Sequence, residues 1–453
     1  MRGSNLAALC LAAVLGAAST CAAAAPLSDD AKREVVGKAA ALLADGYVYP
    51  ELGRKAGASI KKSLDDGAYT AIVDRSAFAN RLTDDLQAIT HDKHMRVMDP
   101  EGPPPPGMPK GPPPRSRGGF IRVDRLKGNI GYVALSGFPP PGLFKDAADA
   151  AIQAVAGTDA LIIDMRKNGG GSPEAVAYFC SFFFDPARPT HLNDLIWRDR
   201  GTETFRTDSF STVPVPTHYL GKPVILITSH FTFSGGEEFT NDLKTQKRAL
   251  IVGETTGGGA NPGGAQPVGA GLLLFVPGGR AVNPITKTSW EGVGIAPDVA
   301  AAPEAAFATA YKAALESAKP SATRAQVRSR LAASGGEVDA WTEASLQAAR
   351  TGPIPGGEAA LRAVIADAAA GKPNYAAMTP DFIKSAQDQF GVAHTDVVAL
   401  GVLKSVTFER VDMLGSDVYR TDFEHGALEW TFYVNAQGKV AVAFYRKLPN
   451  API

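Results

Sequence analysis

Ser234 stands in the stretch Pro223 to Glu238, P-V-I-L-I-T-S-H-F-T-F-S-G-G-E-E, and it is the residue here whose setting could do covalent chemistry. Val224 to Ile227 is a short apolar, β-branched run, which predicts a strand buried on both faces of a parallel sheet. Glu237 to Lys244 reads as helix. A serine at such a strand-turn-helix junction sits near the carboxyl edge of the sheet, where open α/β folds place ligands. Its hydroxyl can be exposed there, with the amides of the following turn facing whatever it attacks. The same residues, Ser234-x-x-Glu237, also fit a capping box in which the serine only caps the helix. Local pattern leaves both readings open.

Other reactive types are less well placed. His91 and His94 are three apart, a spacing that suits a metal on a helix, but no third ligand stands nearby, so no metal is expected. Cys180 lies in the apolar run Ala177 to Phe184 and reads as core. The glycine-rich stretch Thr255 to Gly264 lacks the lysine and serine of a phosphate-binding loop in order, and reads as a mobile loop. No cofactor is expected.

The elements that must position Ser234 are strands alternating with helices. Ile130–Leu135, Ala160–Met165, Val224–Ile227 and Ala249–Gly253 read as buried strands, with a crossover helix over Gly142–Ala156 and another from Pro173. Right-handed crossovers put the strands' carboxyl ends on one edge. That brings the turn Asn168-Gly-Gly-Gly171 to the same edge as Ser234, and glycine there lets a backbone N–H approach a ligand closely. Leu272–Val276 and Arg280–Asn283 read as a hairpin around Pro277-Gly-Gly279. Ahead of this core, residues 26–98 form a small helical domain, and residues 99–117, with nine prolines, a semi-rigid linker or lid. The core runs over residues 118–318. Residues 319–371 are Ala-rich and read as a helical linker. Residues 372–453, a helix and four alternating strands, read as a small α+β accessory domain.

The 453 residues carry 46 basic and 46 acidic side chains, which argues against nucleic acid as the partner. Residues 1–25 have the pattern of a cleavable leader: Arg2, an apolar run from Leu6 to Ala18, and small residues at Ala22 to Ala25. Thr20 before Cys21 is a poor lipobox, so lipidation is not expected. No other run is long enough to span a bilayer. The expected location is the periplasm or the exterior. Cys10 and Cys21 leave with the leader, so Cys180 alone remains and no internal disulfide can form.

Three motifs together resemble the tail-specific (C-terminal processing) serine proteases: Asp164-Met-Arg-Lys-Asn-Gly-Gly-Gly171, Thr228 to Glu238, and Gly253-Glu-Thr-Thr-Gly-Gly-Gly259. Asn283-Pro-Ile-Thr286 and Trp290-Glu-Gly-Val-Gly-Ile-Ala-Pro-Asp298 look like the branch that includes interphotoreceptor retinoid-binding protein and the tricorn core. The resemblance covers about residues 30 to 310. It implies an α/β protease core of the ClpP/crotonase-like kind, mostly parallel sheet with crossover helices. The C-terminal domain lies outside it and is loosely similar to cystatin-type or nuclear-transport-factor-type domains.

By position, the resemblance makes Ser234 the nucleophile and the amides of Gly235 and Gly170 the oxyanion donors. The loop lysine of the processing branch falls at Gly259, and no lysine occurs between Lys247 and Lys287, which excludes that Ser-Lys dyad. The tricorn-like arrangement instead makes His94 the base and Glu291 its acidic partner, with His91 and His230 as the remaining candidate bases. Lys93 stands where tricorn has serine, and Asn261 where many members have histidine. Only about thirty-five residues separate His94 from the first core strand, too few for the PDZ domain that many members carry. The implied function is a serine peptidase acting on peptides or unfolded segments. The alternative is a non-catalytic carrier of hydrophobic ligands or peptides on the same scaffold.

Overall fold

The computed structural model describes residues 26–102, 116–319, 340–343, 352–411, 416–435 and 438–448. The leader and most of the proline-rich segment lie outside the described residues. Three helices come first, α1 (Asp29–Gly46), α2 (Pro50–Asp65) and α3 (Arg75–Thr90), then a short strand β1 (Arg96–Met98). Next follow β2 (Phe120–Leu126), β3 (Ile130–Leu135), α4 (Pro141–Val155), β4 (Ala160–Asp164), α5 (Pro173–Ser181), β5 (His191–Arg198) and β6 (Phe205–Ser211). The chain continues through β7 (Val224–Thr228), α6 (Gly235–Thr245), β8 (Leu250–Gly253), β9 (Gly263–Gly269), β10 (Leu272–Pro277), β11 (Gly279–Val282), β12 (Val299–Ala300) and α7 (Pro303–Ser317). It closes with β13 (Ala340–Glu343), α8 (Gly357–Ala370), α9 (Pro380–Leu400), β14 (Leu403–Val411), β15 (Asp417–Phe423), β16 (Gly426–Val434) and β17 (Val440–Leu448).

The main sheet has the order β12-β8-β7-β4-β3-β2-β13, parallel from β12 to β3 and antiparallel at β2 and β13. Its central strands read as unbroken apolar runs because both faces are covered. Leu161, Ile163, Val224 and Leu226 point to the layer that holds α4, α5 and α6. Ile162, Ile225 and Ile227 point to the other face, where Ala306, Ala310 and Tyr311 of α7 cover them. This is the expected α/β core. The four-stranded antiparallel sheet β14-β15-β16-β17 with α8 and α9 is the expected α+β unit behind it.

The first three helices do not close a core alone. Val35, Val36, Leu43, Phe78 and Leu82 pack with Val268, Leu272, Leu274 and Val276 from the β9–β10 ribbon. Strand β1 joins that ribbon as a third strand, with Arg96 opposite Phe275.

Several expectations are corrected. Strands β10 and β11 do not form a hairpin: β10 pairs with β1 and β9, while β11 pairs with β5. The Gly278 and Gly279 N–H groups both donate to Pro262 O at 3.0 Å, so the Pro-Gly-Gly turn carries the chain from one sheet to another. Residues 340–343 are a strand rather than helix. Strands β2, β5, β6 and β9 were not foreseen, because their burial is mixed and their polar content high.

Leu226 is fully buried in the strand that delivers Ser234. Leu226→Ala is expected to lower stability by about 2–5 kcal/mol, read as a drop in the urea midpoint at unchanged slope.

Candidate active site

The turn after β7 is stitched to the turn after β4. Ser229 Oγ donates to Arg166 O at 2.7 Å, Thr232 Oγ1 to Met165 O at 2.8 Å, and the Phe233 N–H to Asn168 O at 3.0 Å. Ser234 follows with φ 52° and ψ −124°, a conformation that glycine favours at the first central position of a type II′ turn. A non-glycine residue held there is strained, and such strain persists only where the surroundings impose it. The glycine turn meets the serine as expected: a Cβ on Gly170 would stand 2.7 Å from both Ser234 Cβ and Gly235 N. Of the two expected oxyanion donors, the Gly235 N–H makes no hydrogen bond among the described residues. The Gly170 N–H is instead donated to Asn168 Oδ1 at 2.9 Å. The neighbouring Gly171 N–H makes none among the described residues, so it is the open amide of that turn.

Glu237 was legible only as a helix cap, yet it organises the site. It is fully buried, and Oε2 accepts from the Ser234 N–H at 3.0 Å and the Gly259 N–H at 2.7 Å. Oε1 accepts from the Thr256 hydroxyl at 2.5 Å and the Gly258 N–H at 2.6 Å. Burial leaves its pKa raised, a rise that these four donors reduce. The glycine loop, expected to be mobile, is therefore tied down. Lys93 adds a bond from Nζ to Gly257 O, and Glu291 Oε2 accepts from the Ala260 N–H at 2.5 Å.

Helix α3 ends at His91, whose φ of 54° gives the chain a left-handed turn. The turn carries Asp92 and His94 inward. Buried Asp92 accepts from the His94 N–H at 2.9 Å, the Asn261 side-chain amide at 2.9 Å and the Tyr47 hydroxyl at 3.2 Å. The His94 ring packs on Phe233 at 4.6 Å between centroids and on Phe275 at 5.7 Å. A Cβ on Gly259 would stand 2.2 Å from the Phe233 ring and 2.8 Å from His94 Cε1. The Phe233 ring, with the imidazole next to it, thus fills the space that a side chain at position 259 would need.

Burial pushes the His94 pKa down to about 4, with Arg96 adding to the effect, so the imidazole is neutral at pH 7. Burial pushes Glu291 up to about 7, and the Asp92 charge adds to it. Nδ1 of His94 and Oε1 of Glu291 are both buried and without a hydrogen-bond partner. Donor atoms of Asp92, His94 and Glu291 lie within 4.8 Å of one another, so among the described residues these three could hold a metal ion. Ser234 and His94 are not hydrogen-bonded to each other in this structure, a contact that apo sites often leave open. The other candidate bases are elsewhere. His91 is exposed at the helix end, and His230 bonds Glu254 Oε2 through Nδ1 at 3.0 Å.

Two measurements follow from this geometry. Glu237→Gln keeps the shape but puts an NH2 where two N–H donors converge, and should cost about 2–4 kcal/mol by urea denaturation. On the buried flank of α6, Glu238 is pushed up to about 7 by burial, and Asp242 rises for the same reason and through the Glu238 charge. A raised carboxyl favours the fold while protonated. That stability is full below the unfolded pKa near 4.3 and is lost as pH rises through about 7. The fall in urea midpoint between pH 5 and pH 8 should therefore shrink in Glu238→Gln.

Family models match both the helical segment and the core. Residues 129–301 match the model described as peptidase family S41, and residues 28–115 match the one described as the N-terminal domain of peptidase S41 in eukaryotic IRBP. A curated relative, the chloroplastic carboxyl-terminal-processing peptidase 2 of Arabidopsis thaliana, is 28% identical over 173 residues, which are 37% of this chain and 31% of that one. Less than a third of that relative is thus spanned. Among solved structures, a candidate peptidase from Parabacteroides merdae is 19% identical over 60% of this chain and 90% of its own, with a TM-score of 0.45. The photosystem II D1 C-terminal processing protease is 18% identical over 60% and 94%, with a TM-score of 0.39. With both the core and the N-terminal domain matched, over more than half of its length, the chain belongs to peptidase family S41.

Proposed function

We propose that this chain is a secreted or periplasmic serine peptidase that cleaves peptides or unfolded segments through an acyl-enzyme on Ser234. The observation that carries the reading is the strained Ser234 turn, whose Phe233 ring packs on a neutral, buried imidazole, that of His94. Ser234 Oγ attacks the scissile carbonyl while its proton passes to Nε2 of His94. The oxyanion that forms is held by the Gly235 N–H and an amide of the Gly170–Gly171 turn. His94 then returns the proton to the leaving amine, and the sequence repeats with water to release the acyl group. Glu291, whose carboxylate lies within 4.8 Å of a ring nitrogen, orients the ring through Nδ1 and stabilises the imidazolium. No helix among the described residues is long and apolar enough to cross a membrane. The leader pattern in residues 1–25 supports export.

The carrier alternative needs an apolar cavity, and no observation favours it. A cavity of about 460 Å³ at the amino ends of β7 and β8 is lined by Lys244, Lys247, Arg248 and Asp298 as well as Val224 and Leu250.

A fluorophosphonate probe tests the proposal. Mature wild type should label, Ser234→Ala should not, and His94→Ala should label about 10²–10⁴-fold more slowly. Labelling that persists in Ser234→Ala, or no labelling of folded wild type, would overturn it.

A further inference from the structure

The geometry points to a binding site for one zinc-class divalent cation at Asp92, His94 and Glu291, which switches the peptidase off. It rests on the reading of His94 as the base. The two carboxylates share one pocket, and neither has an ion-pair partner among the described residues. His94 is only 9% exposed and carries a buried, unpartnered Nδ1; Glu291 carries a buried, unpartnered Oε1; and a ring nitrogen and a carboxylate oxygen of the two lie within 4.8 Å of each other. One imidazole and two carboxylates form a neutral site with a divalent ion and suit zinc better than calcium or magnesium, which prefer all-oxygen sites with more ligands.

The distances are close to what such an ion needs. Zinc bonds of about 2.0–2.2 Å place tetrahedral donors roughly 3.4 Å apart. The three donors, already within 4.8 Å, need to close by about an ångström. The supporting bonds are in place as well. Asn261, Tyr47 and the His94 N–H hold Asp92, and the Ala260 N–H holds Glu291 through the other oxygen. Water completes the fourth position.

The chemical consequence follows from the tautomer. In the peptidase cycle the neutral imidazole keeps its proton on Nδ1, beside Glu291, and leaves Nε2 free to accept from Ser234. A metal on Nδ1 forces that proton to Nε2. The ring then has no lone pair for the serine, and Glu291 is taken from its supporting role.

The test uses Co²⁺ as an optical probe on metal-free mature protein, in wild type and Ser234→Ala. One equivalent should bind with the intense visible bands of a tetrahedral site. Asn261→Ala, which removes only a supporting bond, should weaken binding by about 10–100-fold, and Glu291→Gln by more. His230→Gln and His191→Gln, which alter surface His-acid pairs, should bind as wild type does. Zn²⁺ should stop fluorophosphonate labelling of wild type, and a chelator should restore it. Equal Co²⁺ binding in wild type, Glu291→Gln and the folded Asp92→Asn variant would overturn the site. So would loss of binding in His230→Gln or His191→Gln. Labelling of metal-free wild type with no Co²⁺ binding would sink this inference and leave the peptidase standing. Co²⁺ binding that needs Glu291, in a protein that never labels, would sink the peptidase reading and leave the metal site.

Discussion

A single buried carboxylate, that of Glu237, is the constraint on which the site depends. Its two oxygens are shared among four donors, one the N–H of Ser234 and three on the glycine loop. A charge buried this fully is tolerated only when its hydrogen bonds are complete. The requirement runs both ways. The loop cannot leave without stranding the charge, and the strained backbone at Ser234 cannot relax without giving up its share of Oε2. A loop of glycines, which would otherwise sample many conformations, thereby becomes a fixed wall against which His94 and Phe233 pack.

Asp92 plays the corresponding part from the other side. It gathers Tyr47 from the end of α1, the His94 backbone and Asn261 from the loop, so the first helices and the core meet at one acid. The glycine loop is held by Glu237 within the core, by Lys93 and Asp92 from the helical side, and by Glu291 from beyond β11. Position and protonation of His94 are thus set together. Packing of the imidazole against Phe233 and Phe275 both places it and removes the water that would charge it.

Much of this was legible in the sequence, for a physical reason. Strands β4 and β7 are buried on both faces and write themselves as unbroken apolar runs, and the serine at the end of one of them needs no long-range knowledge to be noticed. His94 and Glu291 came only through resemblance, since nothing in their local sequence distinguishes them. Glu237 has a local signal, the capping spacing, but its larger role depends on a loop some twenty residues on. Asp92 stood in view between two histidines, yet two of its three donors, Tyr47 and Asn261, come from distant segments. The β10–β11 hairpin failed because turn residues mark a change of direction without naming the partner. The Pro-Gly-Gly stretch turns toward Pro262, and β11 finds β5.

The shared core of the first helices has a consequence for the order in which the molecule comes to life. The turn bearing His94 is anchored by β1, and β1 has no strand to join until β10 exists, with Arg96 opposite Phe275. Closing so long a loop carries an entropic cost that only the finished ribbon and its packing against Val35, Leu43 and Leu82 repay. A growing chain therefore holds His94 early and Ser234 much later, and cannot bring them together until nearly the whole core has been made. An immature or half-threaded molecule keeps the two apart, because one is anchored by β1 of the β1-β10-β9 sheet and the other follows β7 of the main sheet.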